Sequence, residues 1–461
     1  MVERVRFFVT QIPALRCRVA RGTLRAVLFR PPALDPPESI HWFVAMVVHR
    51  LLAAAVLLVI GGCSRISDST YTLRADAEKL ELPAKHKAQI AAYLSAFHGT
   101  PANPRMALPE ADAEFPEPGA DGVVAIARSE KPGYDRLELQ LGREVYTRQC
   151  AGCHGATGDG NGPAGAHLVP PPRDYRNGVF KFTSTPRGSK PRRDDLRRIL
   201  RYGAKGTSMP AFRFLSDEET EAVIDYVQVL AARGELELAL IREARDELDE
   251  DDDFDPEVVA EFVQDISDSW DRSENELVRA VTVNPPMTPE TVHAGAVAFA
   301  EFACVKCHGA DARGSKSADV GQDIWGRTAY PANLAMGMLH GGRRPIDIYR
   351  RIYSGINGTP MPSSKDPNTA VGETPEERSD RIWHLVHFVT RVIDGNEVPA
   401  DAQQAIDDTL RRLEGPAAEP EPADAAEPAK AAALPPQGRP TLVTSEISYR
   451  RTRAGGGFHG R

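Results

Sequence analysis

Cys150, Cys153 and His154 stand in the order C-x-x-C-H, and Cys304, Cys307 and His308 repeat it. This spacing is the attachment signature of a c-type haem. Two thiols three positions apart can each add to one haem vinyl group, and the adjacent histidine is then held under the ring as an axial iron ligand. An electron-carrying iron takes a second axial ligand, and each copy is followed by one. Met209 lies in Gly-Thr-Ser-Met-Pro and Met361 in Gly-Thr-Pro-Met-Pro. No other methionine falls between Met106 and Met287, so the first copy has a single candidate. The second has rivals in Met336, Met338 and His340. Met361 is preferred because it occupies the repeated frame, and Met336 and Met338 are expected to pack against the ring as gap-fillers. C-x-x-C is also half of a four-ligand zinc site. Two halves 154 residues apart, each trailed by its own Met-Pro, fit two haems better than one zinc.

Helices must hold these residues. Ahead of the first motif, Leu137, Leu141 and Val145 recur every four residues, as on one helix face. A second helix is expected over 194–202, leading into the Met209 loop. A closing helix starts at the capping box Ser216-Asp217-Glu218-Glu219, with Val223, Tyr226, Val227 and Leu230 as its apolar face. The second half repeats this plan. Thr288-Pro289 opens its first helix, and Thr374-Pro375-Glu376-Glu377 caps its last, whose face is Ile382, Leu385, Val386 and Val389. The two histidine motifs are offset by 154 residues and the two methionines by 152. In that frame Asp195, Arg198, Gly203, Gly206 and Thr207 meet Asp347, Arg350, Gly355, Gly358 and Thr359. The chain therefore contains an internal repeat.

Residues 136–232 and 287–394 each resemble the class I cytochrome c domain, which pairs C-x-x-C-H near its start with a late Met-Pro. The resemblance implies a mainly α protein with two tandem domains and two covalent haem c groups. Cys150, Cys153, Cys304 and Cys307 would attach them; His154, Met209, His308 and Met361 would be the axial ligands. It further implies that Gly142 with Tyr146, and Gly295 with Phe299, mark where the first helix crosses the last. A proline carbonyl, from the run 170–172 or from Pro331, is expected to accept the proximal histidine's ring N–H. Haem attachment also implies an exported bacterial protein.

The remaining chain reads as leader, linkers and tail. Residues 1–45 are expected to be a non-native upstream extension or a leader, with Met46 as the start. Residues 46–63 have a basic start, an apolar run over 51–60 and Gly61-Gly62-Cys63, the layout of a secretory signal peptide resembling a lipobox. Cys63 is thus expected to be lipidated; an uncleaved anchor is the alternative, but its apolar run is short of the ~20 residues a span needs. Residues 64–135 carry an amphipathic helix near 83–97, with Ile90, Leu94 and Phe97 on one face, then a proline-rich spacer. His86 and His98 there, and His167 further on, are expected at the surface. Domain 1 is drawn as 136–234, an acidic connector as 235–286, domain 2 as 287–395, and a helix with a disordered tail as 396–461. Over 235–268, fifteen Asp/Glu face two Arg. Such a block reads as a solvated, extended linker and lacks the spacing of a calcium loop.

The net charge of −9 does not favour nucleic acid as a partner. Residues 173–213 are the exception, with twelve Lys/Arg against three Asp/Glu. They either steer an acidic redox partner or balance the neighbouring acidic connector of the same chain. Iron closed by His and Met has no open site, which points to an electron carrier between respiratory protein partners, for instance toward a terminal oxidase. A redox enzyme or haem subunit with one reactive haem, peroxidase-like or thiosulfate-oxidising, is the alternative. The location expected is the periplasmic side of a bacterial membrane, lipid- or N-terminally anchored. The mature protein should begin at Cys63 and carry lipid. Intact mass and N-terminal sequencing check this, and an unmodified chain starting upstream would reject it.

Overall fold

The computed structural model describes residues 71–74, 81–110, 128–314, 320–368 and 371–414. The extension, the signal segment with Cys63, most of the proline-rich spacer and the tail from 415 lie outside the described residues. The described chain is mainly helical and divides into two compact units. One holds the described residues up to Phe180 with Lys190–Gly203 and Ser208–Asn275; the other holds Lys181–Ser189, Ala204–Thr207 and the described residues from Glu276. Among the described residues no helix is long and apolar enough to cross a membrane.

The first unit begins with α1 (Ala84–His98), which buries Ile90, Tyr93, Leu94 and Phe97. Two short hairpins follow: β1 (Gly99–Thr100) with β2 (Asn103–Pro104), and β3 (Ala107–Pro109) with β4 (Arg128–Glu130). Helix α2 (Arg136–Gln149) is capped by Asp135, which accepts from Leu137 N and Glu138 N. This start leaves Leu137 in the first turn, 74% exposed, and makes Leu139 the buried leucine. The every-four pattern from Leu137 is therefore corrected: the buried face is Leu139, Gly142, Val145 and Tyr146. After the short helix α3 (Ala151–His154) and α4 (Arg193–Tyr202), α5 (Asp217–Asp246) runs for 30 residues. Its capping box forms as expected, with Glu219 N donating to Ser216 Oγ and Ser216 N to Glu219 Oε2.

The acidic connector is the largest correction. Helix α5 continues through it to Asp246, and α6 (Pro256–Ser273) occupies most of the rest. The reason is an apolar face hidden among the charges. Leu236, Leu240, Ile241 and Ala244 on α5, with Phe254, Val259 and Val263, form one core with α1. Several carboxylates are neutralised in place. Glu237 pairs with Arg233 at 3.2 Å, both buried, and Glu235 pairs with Lys190 while accepting from Trp270 Nε1. The run 249–253 folds back on the start of α1. Lys85 Nζ donates to Asp251 O, His86 Nε2 meets Asp252 O at 3.0 Å, and Gln89 Nε2 donates to Asp253 Oδ1. Negative charge at a helix N-terminus is favourable in itself.

In consequence His86 and His98 are buried, at 0% and 3% exposure, not at the surface. His167 does lie exposed, in a 3-10 turn.

The second unit contains α7 (Pro289–Glu301), α8 (Val305–His308), α9 (Pro345–Ser354), α10 (Pro375–Gly395) and α11 (Ala400–Glu414). Thr374 and Glu377 close the expected capping box on α10, and Ile382, Leu385, Val386 and Val389 are all buried. The chain ahead of α7 is fastened to α10. Thr282 N donates to Ser379 Oγ, Trp383 Nε1 to Thr282 O, and the His387 ring bridges Asn284 and Thr291.

In each unit the helix before the motif crosses the long closing helix at a glycine. A Cβ on Gly142 would stand 2.0 Å from Ala222 O, and one on Gly295 2.0 Å from His384 O. One turn on, Tyr146 meets Tyr226 at 5.3 Å between ring centres and Phe299 meets Phe388 at 5.0 Å. Neither backbone carbonyl can move without parting the helices. Gly142→Ala and Gly295→Ala should each destabilise their unit by about 1–3 kcal/mol, as overpacking does, despite the higher helix propensity of alanine; urea melts of the variants test this. A second prediction concerns pH. Burial, then the nearby Arg233 charge, pushes His98 down from the usual 6.5 to about 3. Between those values the unfolded chain binds the proton and the folded one does not. Stability should therefore fall as pH drops from about 6.5 toward about 3, at about 1.4 kcal/mol per unit. A His98→Gln variant should show a flatter pH–stability curve over that window; an unchanged slope would reject the assignment.

Candidate haem sites

The geometry of the motif follows from one helical turn. Cys150 ends α2 and starts α3, its N–H bonded to Tyr146 O at 2.8 Å and its carbonyl accepting from His154 N at 2.9 Å. Residues i and i+3 on a helix are neighbours, so Cys150 and Cys153 share a side and His154 follows directly. Cys304 and His308 are arranged alike, with His308 N donating to Cys304 O at 2.9 Å. Gly155 and Gly309, at φ +76° and +74°, end these turns. None of these four cysteines is in a disulfide. Burial, and then the neighbouring cysteine for Cys150, pushes the Cys150 thiol up to about 12; burial does the same for Cys304.

Each histidine is oriented by a carbonyl. His154 Nδ1 lies 3.1 Å from Arg173 O, and His308 Nδ1 lies 3.0 Å from Ala332 O. The acceptor is in both cases the residue after the proline, Pro172 or Pro331. The expected proline carbonyl is thus displaced by one residue. Burial lowers the pKa of both rings, with the carbonyl bonds acting in the opposite direction. A neutral ring whose Nδ1–H is engaged presents a lone pair at Nε2, the state a metal-bound imidazole needs. The loop beyond each motif is tied to it: Gly160 N donates to His154 O at 2.9 Å and Gly314 N to His308 O at 2.8 Å.

The two methionine loops are built alike. Asp195 and Asp347 accept from the backbone N–H of Arg192 and Arg344, fixing the starts of α4 and α9. These helices end at Gly203 and Gly355, both at φ +70°. A Cβ at Gly203 would stand 2.8 Å from Met209 O, and one at Gly355 2.6 Å from Met361 O. Thr207 Oγ1 donates to Ala204 O, and Thr359 Oγ1 to Ile356 O. The chain then returns to its helix, with Phe212 N donating to Leu200 O and Ser364 N to Ile352 O. Met209 and Met361 are both half-buried.

The rivals in the second half stand elsewhere. Met336 is 65% and Met338 49% exposed. The Met338 thioether meets Gly206, and His340 Nδ1 is engaged by Lys205 O. Among the described residues no three His, Cys, Asp or Glu side chains gather as a metal cluster. The donor set instead fits haem: two thiols on one turn, an oriented imidazole and a thioether loop.

Much of the basic run 173–213 is paired inside the chain. Arg176 binds Asp174, Lys190 binds Glu235, Arg193 reaches Glu221 and Asp225, Arg197 reaches Glu221, and Arg201 reaches Asp217. Of these pairs only Lys190–Glu235 reaches the acidic connector; the others join residues outside it.

Residues 138–227 match the family model described as cytochrome C oxidase, cbb3-type, subunit III. The match spans the first motif and Met209. A chain of the Kuenenia stuttgartiensis reducing HAO-like protein complex Kustc0457/Kustc0458 is 28% identical, over 55% of this chain and 96% of that one, at a TM-score of 0.39. That superposition is too loose to carry a structural argument. No curated protein matches the chain. Residues 138–227 thus form a c-type cytochrome domain, which implies covalently bound haem c and suggests haem-based electron transfer.

Proposed function

We propose that the chain is a di-haem c-type cytochrome of two tandem class I domains. It would carry single electrons between protein partners on the periplasmic side of a bacterial membrane, tethered through Cys63, with a terminal oxidase as the class of acceptor. The observation that supports two haems is the repetition of one local geometry. In both halves the motif turn, the Nδ1–carbonyl bond and the glycine-closed methionine loop recur.

Bound haem supplies a one-electron iron couple, and methionine ligation holds its potential above that of two imidazoles. The protein residues do the rest. Cys150, Cys153, Cys304 and Cys307 would tether the rings. The carbonyls of Arg173 and Ala332 keep His154 and His308 in the tautomer that offers Nε2. The loops closed on Gly203 and Gly355 would offer Met209 and Met361 as further iron ligands, and an iron so held would take no substrate.

The purified mature protein should contain two covalent haems and show the Met–Fe(III) charge-transfer band at full strength for both. Carbon monoxide and peroxide should leave its spectrum unchanged. One haem, half the band, or ready carbon monoxide binding after reduction would transfer the assignment to an enzyme with one reactive iron.

A further inference from the structure

We propose that Arg187 is a positioning residue for Met361. The inference rests on the reading of Met361 as the axial ligand of the second haem. Arg187 belongs in sequence to the first repeat, but Lys181–Ser189 lies within the second compact unit. There its guanidinium meets three carbonyls of the Met361 loop. Nη1 donates to Met361 O at 2.5 Å and reaches Ile356 O at 3.4 Å, while Nη2 donates to Thr359 O at 2.8 Å. Three carbonyl dipoles that converge on one point repel one another, and a cation offering several N–H groups in a fixed fork relieves this.

The segment is anchored on either side of Arg187. Gly188 N donates to Oδ1 of the buried Asn357, whose Nδ2 lies 3.5 Å from both Thr183 Oγ1 and Ser189 O. Arg351, one turn before Gly355, donates to the carbonyls of Lys181 and Thr183. The loop has a second contact at Gly358, which accepts from Ile324 N at 3.0 Å. A Cβ there would stand 2.9 Å from the Trp325 ring. The Met361 loop is therefore gripped by two segments outside its own repeat unit of helix and turn. Arg187 supplies the grip on the methionine's own carbonyl.

Arg187 itself is exposed, so its removal leaves the core intact, and solvent screens part of its effect. What it controls is how often the loop opens. An exogenous ligand such as imidazole can replace Met361 only in the open state, so its apparent affinity scales with the open fraction. Losing the charge-assisted bonds should raise that fraction about tenfold.

The test uses the full-length holoprotein with four sequences: native, Arg187→Gln, Arg187→Lys and Met361→Ala. Imidazole titrations of the oxidised protein are followed at the charge-transfer band. Met361→Ala should remove half the band. Arg187→Gln should leave haem content unchanged and tighten imidazole binding about tenfold at one haem only. Arg187→Lys, which keeps the charge but loses the fork, should fall between. If Met361→Ala removes half the band while Arg187→Gln leaves both affinities unaltered, the role of Arg187 is overturned and the ligand assignment stands. Equal tightening at both haems also overturns it, as general loosening. If Met361→Ala leaves the band whole, the ligand assignment itself fails.

Discussion

The contact of Gly142 with the carbonyl of Ala222, and of Gly295 with that of His384, is the constraint from which the rest of each unit follows. A methyl group at either position would occupy the space of a backbone oxygen, so the two helices meet at nearly their minimum separation. The helix that makes this crossing is followed closely by the short helix, α3 or α8, that carries the motif's second cysteine and its histidine. Its crossing point therefore fixes where the motif stands relative to the closing helix. Aromatic pairs one turn further on, Tyr146 with Tyr226 and Phe299 with Phe388, fill the angle that the glycines open.

The turns and loops that carry the candidate residues were legible because they are local. A C-x-x-C-H turn, a capping box and a glycine-bounded methionine loop are each set by contacts within a few residues. The repeat confirmed the frame by bringing the same residue types to the same offsets. What local pattern could not show is what covers a helix from a distance. Helix α5 reads as amphipathic over residues 223–230, yet Val229 is also buried, in a cluster with Met106 and Leu139 from far upstream. His86 and His98, which look like surface residues when read alone, are buried on α1, His86 against Phe254 and Asp252 from far downstream. The acidic stretch misled for a related reason. Charge counting treats Glu235 and Glu237 as repelling neighbours, whereas Lys190 and Arg233 meet each of them in the fold. A hint was present in Leu236, Leu240 and Ala244 at four-residue spacing.

The proximal carbonyl shows a finer limit. The proline's place in the chain located the loop, but the oxygen that faces the ring belongs to the next residue in both halves. Proline fixes its own φ and restricts the residue before it. It shapes the path that delivers the carbonyl and is not the acceptor.

Helix α5 serves two cores at once. Val223, Tyr226 and Leu230 on its first part pack with Tyr146 near the haem motif, and Leu236, Leu240 and Ile241 on its second part pack with α1. An unbroken helix of this length, about 45 Å, leaves no hinge between them. The haem-bearing part of this unit is therefore not a detachable module ending at residue 234. Severing the helix there would strip α1 and α6 of their shared wall and expose a row of leucines. One helix thus forms a wall of both cores, and a change that loosens it in one core is transmitted along its length to the other.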